Sequence, residues 1–194
     1  DFMRFMLSDG AGAVLVQDHP EGICSLKIEW VDMTSYANEL PTCMFMASEL
    51  QENGRPKSWK EFSPDEILHP GVLVGKQDIR QLKKYIIKYW VDHIETVLTK
   101  HHVKAEEIDY VIPHVSSMFF YEKLNDEIAA RNIALTKEKW FTNLTSVGNI
   151  GSAAIYVALE EFIRTKGIKR GNKILLLVPE SGRFSYGTVL LTVE

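Results

Sequence analysis

His114, in the run Val111-Ile112-Pro113-His114-Val115-Ser116, and Asn149, in Ser146-Val147-Gly148-Asn149-Ile150-Gly151-Ser152, are the side chains best placed to do chemistry. Each stands at the edge of an apolar element, so an imidazole and a carboxamide can face one cavity. That pairing is the best clue to function. Each also has an ordinary reading alone: a structural histidine, and a Gly-Asn turn or cap of the helix that follows. Cys24 and Cys43 lie in stretches that read as strands, and neither opens a helix that would lower its thiol pKa, so both are expected to be inert, small hydrophobes. Asn143-Leu144-Thr145 matches a glycosylation sequon, without meaning for a chain that stays in the cytosol.

The elements that must carry these residues are legible in the periodicity. Residues 11–16 and 23–31 have the apolar, β-branched character of two strands, joined as a hairpin through the turn His19-Pro20-Glu21-Gly22. Asp9-Gly10-Ala11-Gly12 supplies small residues for a close backbone approach, read as a packing turn because no helix follows to make it a phosphate loop. From 51 to 69 the chain turns polar, a surface loop with a short helix opened by Ser63-Pro64-Asp65-Glu66. Ile79, Leu82, Ile86, Trp90, Ile94 and Val97 recur at helical spacing between 76 and 101. A short buried strand over 108–113 then leads into a helix over 117–131, with Met118, Tyr121, Leu124 and Ile128 on its inner side. A third helix over 151–166 precedes closing strands over 173–179 and 186–193. Strand alternating with helix in this way predicts an α/β layered domain, with His114 just past a strand end, where such folds place chemistry.

With 194 residues, 45% hydrophobic and 25% charged, the chain suits one globular domain or two small packed halves. A net charge of −4 gives no reason to expect nucleic acid as partner. No apolar run approaches the roughly 18 residues of a membrane span and no signal-type h-region opens the chain, which reads as cytoplasmic. No metal cluster, P-loop or dinucleotide fingerprint stands in the sequence.

Four motifs together are more specific than any one: Ser8-Asp9-Gly10-Ala11-Gly12-Ala13-Val14, Ile112-Pro113-His114, Val147-Gly148-Asn149-Ile150-Gly151-Ser152-Ala153-Ala154, and Ser181-Gly182-Arg183-Phe184-Ser185-Tyr186-Gly187. In order and spacing they resemble the C-terminal half of a β-ketoacyl-acyl-carrier-protein synthase III, over essentially the whole chain. The resemblance implies the thiolase-like fold, a layered α-β-α arrangement of mixed sheet and packed helices in two similar halves, with the nucleophilic cysteine in the half that is not here. The abrupt start at Asp1 favours a fragment of a longer enzyme over a separate subunit.

By resemblance, the whole enzyme moves an acyl group from coenzyme A or a carrier protein to its cysteine. A malonyl- or β-ketoacyl-type thioester then condenses with that acyl group, with loss of carbon dioxide where the extender is malonyl. His114 and Asn149 would hold the enolate oxygen, each donor worth on the order of 10²–10³ in rate. The backbone amide of Gly182 would serve a second oxyanion at the cysteine. Substrate-binding positions would be Gly71, Gly75, Ser116, Ser117 and Arg183. No tightly bound cofactor is implied; the partners are the carrier protein's phosphopantetheine or coenzyme A thioesters, the missing N-terminal half, and a second copy in a homodimer.

Departures from the family pattern bear on substrate. Ser181-Gly182-Arg183 replaces a run of three glycines, Ser117 stands where asparagine is common, and Gly75 replaces a tunnel phenylalanine. These features look like the branch that joins two acyl chains into dialkylresorcinol or cyclohexanedione precursors. Rival readings are a non-catalytic ketosynthase partner subunit, against which retention of both His114 and Asn149 argues, and an acyltransferase or hydrolase on the same fold. A degradative thiolase would need a second cysteine near the C-terminal loop, which offers none.

Overall fold

A computed structural model describes residues 3–22, 24–68 and 71–194. In chain order the elements are α1 (Met3–Met6), β1 (Leu26–Ser35), β2 (Met44–Phe45), β3 (Ser48–Leu50), β4 (Pro56–Ser58), α2 (Pro64–Ile67), β5 (Lys76–Gln77) and α3 (Ile79–Lys100). There follow β6 (Tyr110–Pro113), α4 (Met118–Ala130), α5 (Leu144–Val147), α6 (Ala154–Thr165), β7 (Lys173–Glu180) and β8 (Ser185–Val193).

The four long strands make one sheet in the order β1-β8-β7-β6. Only β6 and β7 run parallel, and they are joined by a crossover that contains α4 and α6. β8 is antiparallel to both β7 and β1, so the sheet is mixed, as the α/β reading requires. Alternation of side chains sends Val111, Leu175, Leu177 and Leu190 to one face, where they meet Trp90, Ile94 and Leu98 of α3 and Leu124 and Ile128 of α4. Ile112, Ile174, Leu176, Leu191 and Val193 point to the other face, against Ala158 and Phe162 of α6. The result is helix, sheet, helix in layers.

α3 forms where the periodicity places it, and Asp78 caps it by accepting from the Arg80 and Gln81 amides at 2.9 and 3.1 Å. Its inner residues Leu82, Ile86, Trp90, Ile94 and Val97 are buried, but Ile79, the first residue of the helix, is exposed. Met118, expected on the inner side of α4, is likewise partly exposed at that helix's first residue. The polar stretch contains the expected short helix α2, opened by a reciprocal Ser63–Glu66 capping box and Pro64. His69, the end of that expected loop, lies outside the described residues, as does Ile23, the first residue of the second expected strand.

The expected hairpin is corrected. Residues 11–16 form no strand and are exposed, since no strand among the described residues lies beside them to complete their hydrogen bonds, while the second strand runs on to Ser35 against β8. Cys24 is exposed and free, not buried, and Cys43 is buried just before β2 rather than within a strand. The third helix begins as a 3-10 turn over Gly151–Ala153 before α6. Gly10 and Gly12 do serve a close approach: a side chain at Gly10 would meet Ile150 Cδ1 at 2.7 Å, and one at Gly12 would collide with Tyr156. No helix among the described residues is long and apolar enough to cross a membrane.

Candidate active site

His114 follows the last residue of β6, and its amide donates to Leu177 O of β7 at 2.8 Å, which extends the parallel ladder one step and fixes the ring at the strand's C-terminal end. The imidazole is half-buried and makes no side-chain hydrogen bond. Burial alone pushes its pKa below the ordinary histidine range, so the ring is neutral at pH 7 and carries one free N–H donor. It lines a cavity of about 20 Å³ with Thr142, Asn143, Leu144, Gly148 and Ala154, which is room for roughly one oxygen-sized atom.

The opposite wall comes from α5 and the turn behind it. Gly148 terminates α5 with φ +83°, a conformation in which a side chain is strained, and a Cβ there would also meet Ser8 Oγ at 2.6 Å. Next to it, Asn149 Oδ1 accepts the Gly151 amide at 3.1 Å, while Asn149 O accepts Ser8 N at 2.8 Å. The carboxamide oxygen is thus engaged by the first residue of the following 3-10 turn, whose cap position is Ile150. Nδ2 is left as an unpartnered donor, adjacent in the chain to the cavity wall.

Gly182 sits in the β7–β8 turn, at the same end of the sheet as His114 because β6 and β7 are parallel. Its carbonyl accepts Cys43 N at 2.9 Å, and Gln77 Nε2 donates to Ser181 Oγ at 3.2 Å, which ties the segment of Gly75 to this turn. The Gly182 amide is already engaged: it donates to the Glu180 carboxylate, which also accepts Arg183 N at 3.1 Å. The Arg183 side chain is exposed and Gly75 is buried. Ser116 and Ser117 lead into α4, with Ser117 as a cap residue whose hydroxyl makes no capping bond. Gly71 has φ +124° and open space around it, and no contact joins it to His114 or Gly182.

The structure therefore brings His114 and Gly148 to one cavity, with Asn149 next in the chain but not among the residues that line it, and Gly75, Ser181 and Gly182 to a neighbouring turn. Sequence reasoning missed Glu180, although a carboxylate two residues before a turn glycine is a recognisable capping signal. It also missed the Asn143–Glu161 bond at 2.7 Å, which no local pattern announces because the partners are far apart in the chain. Cys43 is no nucleophile: burial, then Asp78, pushes its thiol up to about 11. No cluster of three or more potential metal ligands occurs among the described residues.

Residues 98–193 match the family described as 3-oxoacyl-[acyl-carrier-protein (ACP)] synthase III C terminal. A β-ketoacyl-[acyl-carrier-protein] synthase III of Clostridium acetobutylicum is 30% identical over 194 residues, covering 96% of this chain and 51% of the relative. The crystal structure of the 3-oxoacyl-[acyl-carrier-protein] synthase III of Aquifex aeolicus matches 86% of this chain and 44% of its own, at TM-score 0.58 and 26% identity. A Thermus thermophilus β-ketoacyl-[acyl carrier protein] synthase III shares the fold, at TM-score 0.64 and 16% identity over 85% of this chain and 46% of its own. The chain spans about half the length of the curated relatives it matches.

Proposed function

The chain belongs to the 3-oxoacyl-[acyl-carrier-protein] synthase III family, with the thiolase-type fold, and from that we propose that it is the C-terminal half of a decarboxylating condensing enzyme. An N-terminal half would bring the nucleophilic cysteine. Two features support that division: the exposed apolar residues Val14, Leu15 and Val16, and the exposed Val31 and Met33 on the α6 face of the sheet, beside their register partners Val189 and Gly187. Exposed apolar residues grouped in this way are what a covering partner would bury.

The observation that carries the reading is His114, neutral and without a side-chain hydrogen bond to the described residues, lining a one-atom cavity with Gly148, the residue before Asn149. When a malonyl thioester, carried by coenzyme A or a carrier protein, loses carbon dioxide, the electrons of the broken C–C bond move onto the thioester oxygen. His114 and Asn149 hold that oxygen. The enolate carbon then attacks the acyl group on the cysteine of the other half, and the thiolate leaves.

The test uses the full-length protein. His114→Ala or Asn149→Ala should lower malonyl decarboxylation by about 10²–10³ per donor, with acylation of the cysteine largely unchanged. Equal loss of both steps would overturn the reading. The 194-residue chain alone should condense nothing; turnover at the level of an intact enzyme would refute the division into halves. The Glu180 carboxylate on the Gly182 amide favours a second reading, a ketosynthase partner without chemistry of its own. The two part on decarboxylation, which that partner would not perform.

A further inference from the structure

Asn143 organises the turn that delivers Gly148 and Asn149. Its carbonyl accepts the Ser146 amide at 3.0 Å, the Ser146 hydroxyl at 3.0 Å and the Val147 amide at 2.9 Å, so α5 is wound on this one residue. Its side chain reaches across to α6, where Nδ2 donates to Glu161 Oε2 at 2.7 Å. Glu161 is half-buried and pairs with no cation among the described residues: Arg164, three residues on, bonds Glu160 instead at 3.2 Å. A partly desolvated carboxylate without a counter-ion is costly unless its hydrogen bond is needed, and an amide donor to a charged acceptor makes a bond about twice as strong as a neutral one. The far ends of the segment are held by backbone bonds, Phe141 N to Val111 O at 2.9 Å and Ser8 N to Asn149 O at 2.8 Å, and the Phe141 ring also packs edge-on against Phe162 of α6. Between those points, the Glu161–Asn143 bond adds a polar side-chain tie between α6 and the wall of the His114 cavity, which Asn143 itself lines beside the apolar Ile155 and Ala158 of α6.

We propose that Glu161 is a positioning residue: by gripping Asn143 it fixes α5 against α6 and sets where Gly148 and Asn149 stand opposite His114. The proposal rests on Asn149 being a donor to substrate, as argued above. It also accounts for Asn143, whose sequon is engaged inside the fold rather than presented as a free surface amide.

The experiment measures amide hydrogen exchange at Val147 and Gly148 in the 194-residue chain, and decarboxylation against cysteine acylation in the full-length protein. Glu161→Ala should speed exchange at these two amides by about ten-fold or more, whereas Glu161→Gln, which keeps an acceptor oxygen, should stay within about three-fold of the parent. In the full-length protein, Glu161→Ala should lower malonyl decarboxylation with acylation unchanged, and Glu161→Gln should restore most of it. Unchanged exchange in Glu161→Ala would overturn the proposal. So would acceleration spread evenly over α6 and the sheet, or a Gln variant as impaired as the Ala variant. If the parent protein itself does not decarboxylate malonyl thioesters, the Asn149 reading fails, while the exchange data still decide the role of Glu161.

Discussion

Glu180 is where this chain departs most sharply from what its motifs imply. The Gly182 amide, expected to be open to an oxyanion, is filled by the carboxylate two residues earlier. Glu180 is itself exposed, so the proposed oxyanion role of Gly182 requires that carboxylate to swing into water. Glu180→Ala in the full-length protein should therefore raise the rate of cysteine acylation, read as the burst of released coenzyme A. An unchanged or slower burst would show that the carboxylate does not compete for the amide. The cysteines allow a second test on the chain alone. Cys43 is buried with its thiol pushed up to about 11, whereas Cys24 is exposed. Iodoacetamide should label Cys24 quickly and leave Cys43 unmodified until the chain is unfolded; rapid native labelling at Cys43 would contradict its burial. At this scale the sequence disclosed residue types and left out their partners. His114 and Asn149 were legible from flanking apolar runs, while Glu180 and Glu161 owe their roles to side-chain geometry that only the folded turns create.

Helices were easier to read than strands, because a helix satisfies its own backbone and a strand depends on a neighbour. α3 and α6 stand where their periodicity puts them, with the buried Leu82, Ile86, Trp90 and Ile94 at helical spacing. Residues 11–16 carry equally good strand residues and form no strand, since the described residues offer no edge beside them. The extension of β1 to Ser35 was illegible for the same reason: it is set by the register with β8, Ser35 opposite Ser185. Periodicity also overstates burial at helix ends, as Ile79 shows. Ile94 is fully buried between α3 and the sheet, so Ile94→Ala should cost roughly 2–5 kcal/mol. Ile79→Ala, at a site 58% exposed, should change stability by less than about 0.5 kcal/mol. Urea unfolding midpoints of the two variants check this contrast, and a comparable loss in both would mean that the first turn of α3 is covered after all.

One buried imidazole and one half-buried imidazole make the stability of the whole molecule depend on pH. His114 sits at the end of β6, and His93, on the inner face of α3, shares a hydrogen bond with Thr188 Oγ1 at 3.0 Å and leaves Nδ1 without a partner. Burial holds both below the ordinary histidine range. A base with a depressed folded-state pKa binds fewer protons folded than unfolded, so stability rises with pH through the window between the two values. It is complete above about 6.5, the unfolded value, and is lost as pH falls below it. His19 shifts the other way, raised by Asp18 and then Glu21, but it is fully exposed and adds little. Asp32, lowered by Lys100 and further by His101, adds a separate loss that begins only below about 3.9. The thermal midpoint should therefore be level from about pH 8 to 7 and fall between 6.5 and 5, well before carboxylates protonate. His114→Asn, which removes one of the two titrating rings, should make that early fall shallower. A midpoint that holds steady or climbs between pH 7 and 5 would mean that these rings are open to water, and with it that the cavity beside His114 is not the enclosed site the proposed chemistry requires.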